Sequence, residues 1–282
     1  MLIHRVPRVA RKVVVVCLSI AVLFVVALAS APARSETGAP LVAHVVNRSA
    51  PTTIDASLRT KVPARPLTLR NGDAAVLGFA PAARADDSRD PRGSRPMTVV
   101  YLHGIHGLPA NGCPWLRDGA TELGWLVCPE ANRQLANGTF SWGGTVSEQF
   151  AVVARAEHVA QANGASVSDA DVLVGFSQGA YVALDLVHAR LGHHRGLVLI
   201  GADVDHAVSR AMLETAGVSR IVLAAGDLDA ASAPMKRVAD RLAREGMDAR
   251  FISLGRIGHS YETTEKEALR DAIVWSGSPP SS

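Results

Sequence analysis

The chain has 282 residues, enough for one large hydrophobic core or two small ones. A hydrophobic content of 48% with 20% charged residues excludes a disordered polypeptide. The net charge of +3 owes part of its value to Arg5, Arg8, Arg11 and Lys12, and no basic stretch interleaved with aromatics points to nucleic acid.

Those N-terminal cations precede an apolar run, Val13 to Leu28, broken only by Ser19. Small residues follow, Ala29-Ser30-Ala31-Pro32-Ala33. This is the layout of a secretory signal peptide over residues 1–33, with cleavage after Ala33. An uncleaved anchor helix is the alternative, and it is the only route to a membrane that the sequence offers. Residues 34–66 carry Pro40, Pro51, Pro63 and Pro66 without a sustained period, and read as a linker or extension. Within it, Val42 to Val46 has the character of a short strand.

Leu67–Arg70 and Ala75–Phe79 flank Asn71-Gly72-Asp73, a hairpin signal. Pro81–Pro96 is polar and reads as an exposed loop. From Met97 onward, strand-length apolar runs alternate with helix-length segments. The expected strands are Met97–Leu102, Trp125–Cys128, Val172–Val174, Leu197–Ile200, Ile221–Ala225 and Arg250–Leu254. The expected helices are Pro114–Leu123, Thr145–Asn163, Gln178–Arg190, His206–Ala216, Ala233–Glu245 and Glu262–Val274. Continuous apolar strands separated by helices predict a mostly parallel α/β sheet, covered on both faces, with the hairpin as an antiparallel N-terminal edge. One domain spans residues 67–275, and 276–282 form a Pro/Ser tail.

Val172-Leu173-Val174 leads into Gly175-Phe176-Ser177-Gln178-Gly179, and a helical stretch follows at once. A G-x-S-x-G pattern between strand and helix lifts one hydroxyl out of the sheet's end on a sharp turn. Ser177 is therefore the candidate nucleophile. The backbone N–H of Gln178 is a candidate oxyanion donor. A serine needs a base. His259 follows the last strand, on the rim where open parallel sheets gather their ligands. The acid that orients its ring is expected after Ile221–Ala225, where Gly226-Asp227-Leu228-Asp229 stands. Asp229 is the better placed to reach across. Asp227 is the alternative, and Asp203 and Asp205 are further candidates. After Met97–Leu102 comes His103-Gly104-Ile105-His106-Gly107, whose Ile105 N–H is the natural second oxyanion donor. His103 is expected to pin that loop; no carboxylate or cysteine nearby completes a metal set, so no metal is expected. Trp142, in Phe140-Ser141-Trp142-Gly143-Gly144, is expected to wall a substrate pocket, with packing inside the loop as the alternative. Cys113 and Cys128, an even pair in an exported chain, are expected to form a disulfide.

Taken in order, His103-Gly104, the Gly-Phe-Ser-Gln-Gly elbow, Gly226-Asp227-Leu228-Asp229 and Gly258-His259 resemble the α/β-hydrolase superfamily. The elbow is similar to that of the carboxylesterase/acyl-thioesterase and dienelactone-hydrolase-like branches. The resemblance spans about Thr68 to Val274. It implies the α/β-hydrolase fold and a triad of Ser177, Asp229 and His259. It also implies oxyanion donors at Ile105 and Gln178, and a small-molecule ester or acyl substrate cleaved without a cofactor. In those branches the acid is usually the second Asp of a G-x-x-D turn, which favours Asp229. Ala230-Ala231-Ser232-Ala233-Pro234 is more Ala-rich than the usual pattern, and residues 1–66 have no counterpart. A peptidase or thioesterase with the same triad, or a non-catalytic binding protein on the same fold, stays open.

Overall fold

A computed structural model describes residues 65–71, 74–82, 96–165 and 171–278. The expected signal peptide, the extension with its Val42–Val46 strand, and most of the Pro81–Pro96 loop lie outside the described residues. So do the last four residues of the Pro/Ser tail.

The hairpin forms as expected. β1 (Leu67–Asn71) pairs antiparallel with β2 (Ala74–Phe79), and β2 pairs antiparallel with β4 (Gly124–Cys128). From there the sheet is parallel. β3 (Met97–Leu102) lies between β4 and β7 (Asp171–Phe176), and β8 (His194–Ile200), β9 (Arg220–Ala225) and β10 (Asp248–Ser253) follow in turn, with one register shift between β7 and β8 at Asp171–Val172. The order is β1-β2-β4-β3-β7-β8-β9-β10.

Alternate residues of each strand feed opposite faces. Val100, Leu102, Leu173, Leu197, Leu199 and Leu223 pack beneath α2 (Val146–Ala162), α3 (Gln178–His188), α4 (Arg210–Thr215) and α5 (Ser232–Arg244). Val99, Tyr101, Leu126, Val174, Val198 and Val222 pack beneath α1 (Pro109–Leu123) and α6 (Lys266–Gly277). Both faces are dry, which is why the strands read as unbroken apolar runs.

Some boundaries differ from those expected. Helix α1 begins at Pro109, not Pro114, and carries Pro114 in its interior. Pro109 sits in the first turn, where a missing N–H costs nothing. The segment expected as helix from His206 is helical only from Arg210. Ser209 sets that start, its hydroxyl accepting from the Met212 N–H. The final helix runs four residues further along than expected at its start, from Lys266. A two-stranded ribbon, β5 (Arg133–Gln134) with β6 (Phe140–Ser141), has no counterpart in the sequence reading. Helix α2 opens on a capping box, Thr145 and Glu148 bonding to each other's backbone N–H. The Thr145 backbone N–H, then its hydroxyl, hold the exposed Glu148 carboxyl below its ordinary pKa.

The disulfide joins Cys113 in α1 to Cys128 at the end of β4, both fully buried. It ties α1 to the strand whose continuation reaches Ala131, where the backbone N–H donates to His103 Nε2.

Candidate active site

The strand-to-helix turn after β7 is built by exclusion. A Cβ on Gly175 would fall onto Gly179 and Ala180 backbone, and one on Gly179 onto the carbonyl oxygens of Leu102 and His103. Only glycine fits at either place. Between them Ser177 holds φ 52° and ψ −118°, a conformation L residues rarely occupy. Its N–H is anchored on the Ile200 carbonyl of the neighbouring strand at 2.9 Å. The strain aims the hydroxyl off the sheet's C-terminal edge, with the N-terminus of α3 directly behind it.

His259 and Asp229 arrive from the loops after β10 and β9. His259 Nε2 lies 2.9 Å from Ser177 Oγ, and Nδ1 lies 2.9 Å from Asp229 Oδ2. Three side chains far apart in sequence thus form one hydrogen-bonded line. The carboxylate is 6% exposed, whereas the imidazole is 51% exposed. The second carboxylate oxygen accepts from the Ala231 N–H at 2.9 Å, so both oxygens are engaged. Gly201 (φ 60°) passes beside this pair; a Cβ there would stand 3.2 Å from Asp229 Oδ2 and from His259 Nδ1. The Phe176 ring lies against the imidazole, centroids 5.1 Å apart, and is itself met edge-on by Tyr261 at 4.7 Å.

The two loops are bound to each other. The Leu228 N–H donates to the Ile257 carbonyl and the Asp227 N–H to the Gly255 carbonyl. Asp227 accepts from the Ser253 hydroxyl at 2.5 Å. It therefore holds the base of the loops rather than the ring. Asp205 donates its backbone N–H to Asp203 Oδ1 and faces Arg237, and neither of these aspartates bonds to His259.

On the other side of Ser177, residues Gly104 to Gly107 form a tight turn, the Gly107 N–H donating to the Gly104 carbonyl. Gly104 lies close enough that a Cβ would stand 3.2 Å from Ser177 Cβ. The Ile105 N–H donates to no carbonyl among the described residues, and the residue is 53% exposed. Buried His103 fixes the turn. Its Nε2 accepts from the Ala131 N–H at 3.2 Å, so Nδ1 carries the proton and donates to the Gly104 carbonyl at 2.8 Å. Burial lowers the His103 pKa, opposed only by that bond to Gly104, in keeping with a neutral ring.

No family model matches the chain, and no curated protein sequence does so either. Solved structures do. The fluorophosphonate-binding serine hydrolase FphF of Staphylococcus aureus, substrate bound, superposes with a TM-score of 0.54 at 15% identity, over 77% of this chain and 100% of that one. A ferulic acid esterase gives 0.52 at 13% identity, over 72% and 91%. A hormone-sensitive lipase from a metagenome library gives 0.50 at 15% identity, over 76% and 84%. The chain has the α/β-hydrolase fold.

Within the α/β-hydrolase fold, Trp142 takes the second of its two expected placements, packed inside. Trp142 is 4% exposed and belongs to the core beneath the site, its indole N–H donating to the His103 carbonyl at 2.9 Å. It supports the turn that carries Ile105 instead of walling a pocket open to substrate. Three contributors escaped the sequence reading. Gly201 makes room for the Asp–His pair, Phe176 backs the imidazole, and the Gln178 carboxamide bonds to Ser141 and Trp142. A glycine after a strand is the one signal that marked the first. Nothing local marked the other two.

Proposed function

We propose that the protein is an exported serine hydrolase that cleaves a carboxylic ester or a related acyl bond. The observation that carries this reading is the hydrogen-bonded line from Asp229 through His259 to Ser177. Asp229 accepts from Nδ1–H and leaves Nε2 free to take the serine proton. Ser177 Oγ attacks the acyl carbon and the proton moves to Nε2. The oxyanion that forms lies toward the Ile105 and Gln178 N–H groups and the positive end of α3. His259 returns the proton to the leaving alcohol, and the acyl group stays on Ser177. Water then attacks the acyl-enzyme with His259 again as base, the Ser177 Oγ–acyl bond breaks to release the acid, and Nε2 returns its proton to Oγ. Its half-exposed ring is open to that water. The solved neighbours described as esterases and serine hydrolases support the ester class.

Export rests on the charged and apolar layout of residues 1–33, and the buried Cys113–Cys128 bridge supports it. Intact mass of the protein recovered from the culture medium or periplasm checks removal of the first 33 residues.

The test of the activity is labelling by a fluorophosphonate probe, with turnover of p-nitrophenyl esters of increasing chain length measured alongside. Wild type is expected to label and turn over, and Ser177→Ala to do neither. A Ser177→Ala variant that labels as well as wild type refutes the assignment. Matched ester, thioester and amide substrates rank the acyl bond; the ester is expected to be cleaved fastest.

A further inference from the structure

The Gln178 side chain does more than occupy the position after the nucleophile. Its Oε1 accepts from the Trp142 N–H at 3.0 Å and the Ser141 hydroxyl at 3.1 Å, and its Nε2 donates to the Trp142 carbonyl at 2.9 Å. The amide cannot be turned over, because its nitrogen would then face the Trp142 N–H. The residues it grips are themselves attached to the turn on the far side of Ser177. The Trp142 indole N–H donates to the His103 carbonyl, and the Phe140 N–H to the Gly107 carbonyl at 3.1 Å. Next along, Asn132 and Gly143 exchange two further bonds, at 2.9 and 3.0 Å. One carboxamide thus joins the elbow to the ribbon, and the ribbon holds the Gly104–Gly107 turn from outside.

We propose that the Gln178 side chain is a positioning residue that sets the separation between the two oxyanion donors, its own N–H and that of Ile105. This rests on the acyl-transfer reading given above. The two N–H groups belong to different segments, one opening α3 and one following β3. They are linked through the paired strands β3 and β7 and through the close packing of Gly179 on the Leu102 and His103 carbonyls. The Gln178–Trp142–His103 connection adds a hydrogen-bonded strut across the site itself. Two donors that must both meet one oxygen tolerate little relative movement, and a misplacement of ~1 Å costs about a hundredfold in rate. Ground-state substrate carries little charge on that oxygen, so the strut acts on the transition state and not on substrate affinity.

The test compares wild type with Gln178→Leu and Gln178→Glu on a soluble p-nitrophenyl ester. Leucine removes all three side-chain bonds and leaves the backbone N–H in place. Glutamate keeps two acceptor contacts and sets an oxygen against the Trp142 carbonyl. For the leucine variant kcat is expected to fall about a hundredfold with KM within about threefold of wild type. Glutamate is expected to fall between wild type and leucine. Affinity for a trifluoromethyl ketone, which forms a tetrahedral adduct on the serine, should weaken by the same factor as kcat/KM. Affinity for the product alcohol, which places no oxygen between the two donors, should not change. A merely structural role would lower thermal stability without that parallel. Turnover of Gln178→Leu within threefold of wild type overturns the proposal, as does a loss confined to KM. If the leucine variant does not fold, Ser141→Ala decides, removing one bond to the carboxamide; an unchanged kcat overturns the proposal and a severalfold loss at constant KM upholds it. Failure of wild type itself to hydrolyse esters or label would instead sink the acyl-transfer reading, so the two failures are distinct.

Discussion

Replacing Asp229 by Asn changes one oxygen into an amide nitrogen, and the surrounding bonds decide where that nitrogen goes. Asp229 Oδ1 accepts from the Ala231 N–H and Oδ2 from His259 Nδ1, both at 2.9 Å. The Ala231 N–H can only donate, so the amide oxygen stays beside it. The amide nitrogen then faces His259 Nδ1, which must become an acceptor. That moves the ring proton to Nε2, where it points at Ser177 Oγ, 2.9 Å away. The imidazole can no longer take the serine proton. An exchange of this kind costs about 10⁴-fold in kcat, or about 5.5 kcal/mol of barrier. Asp227→Asn behaves differently. Its partner is the Ser253 hydroxyl, which an amide oxygen still accepts. The expected loss there is less than about tenfold in rate and about 1 kcal/mol in stability. Steady-state hydrolysis of a p-nitrophenyl ester by both variants, with thermal midpoints, makes the comparison. Asp229→Asn within tenfold of wild type, or Asp227→Asn as damaged as Asp229→Asn, would refute the assignment of roles.

Gly201→Ala adds a methyl group 3.2 Å from both Asp229 Oδ2 and His259 Nδ1, at a φ of 60°. The left-handed backbone costs about 1–2 kcal/mol, and kcat should fall at least about tenfold as the pair is pushed apart; a variant as active as wild type would contradict the packing. Reduction of Cys113–Cys128, which closes a 15-residue separation, should lower unfolding stability by about 3 kcal/mol in urea titrations with and without reductant. A difference below about 1 kcal/mol would show that the bridge constrains little. Acid stability should depend on His194. Burial, reinforced by His193 and opposed by the Leu191 backbone, holds its pKa at about 4 against 6.5. Because the folded value is the lower one, its contribution is complete above pH 6.5 and is lost as pH falls from 6.5 toward 4. That loss approaches about 3 kcal/mol, and His194→Leu should flatten it in urea midpoints measured across this range. A slope unchanged by the substitution would assign the acid sensitivity elsewhere.

The elbow was legible in sequence because its steric demand falls on neighbouring positions. Gly175 and Gly179 stand where any side chain would strike backbone, and that demand is written as two glycines around a serine. The Asp and His were legible for a related reason. Parallel strands end on one rim, so the residues just past β9 and β10 had to arrive beside Ser177. Choosing between Asp227 and Asp229 needed the geometry, since both lie on the same short loop. The two expected placements of Trp142 are not separable in sequence, because an aromatic in a Gly-rich loop looks the same whether its indole faces substrate or a buried carbonyl. The Gln178–Trp142 contact links positions 36 apart, and no local period reports such a pairing. The sequence places the start of helix α1 at Pro114 because that residue imitates a first-turn proline. The structure uses Pro109 for that purpose, and buried Cys113 and Leu116 hold the turn around Pro114. The ribbon β5–β6 is two residues per strand, too short to carry any alternation.

The backbone bonds from Asp227 to Gly255 and from Leu228 to Ile257 have a consequence for redesign. The segments bearing the acid and the base behave as a single cassette, so neither can be lengthened, swapped or shuffled alone without detuning the other. A chimera that transplants both together should retain proton transfer, whereas one exchanging only the stretch after β9 should lose it even with every side chain conserved. Variation in what the site accepts is therefore expected to accumulate on the opposite bank, around Ile105.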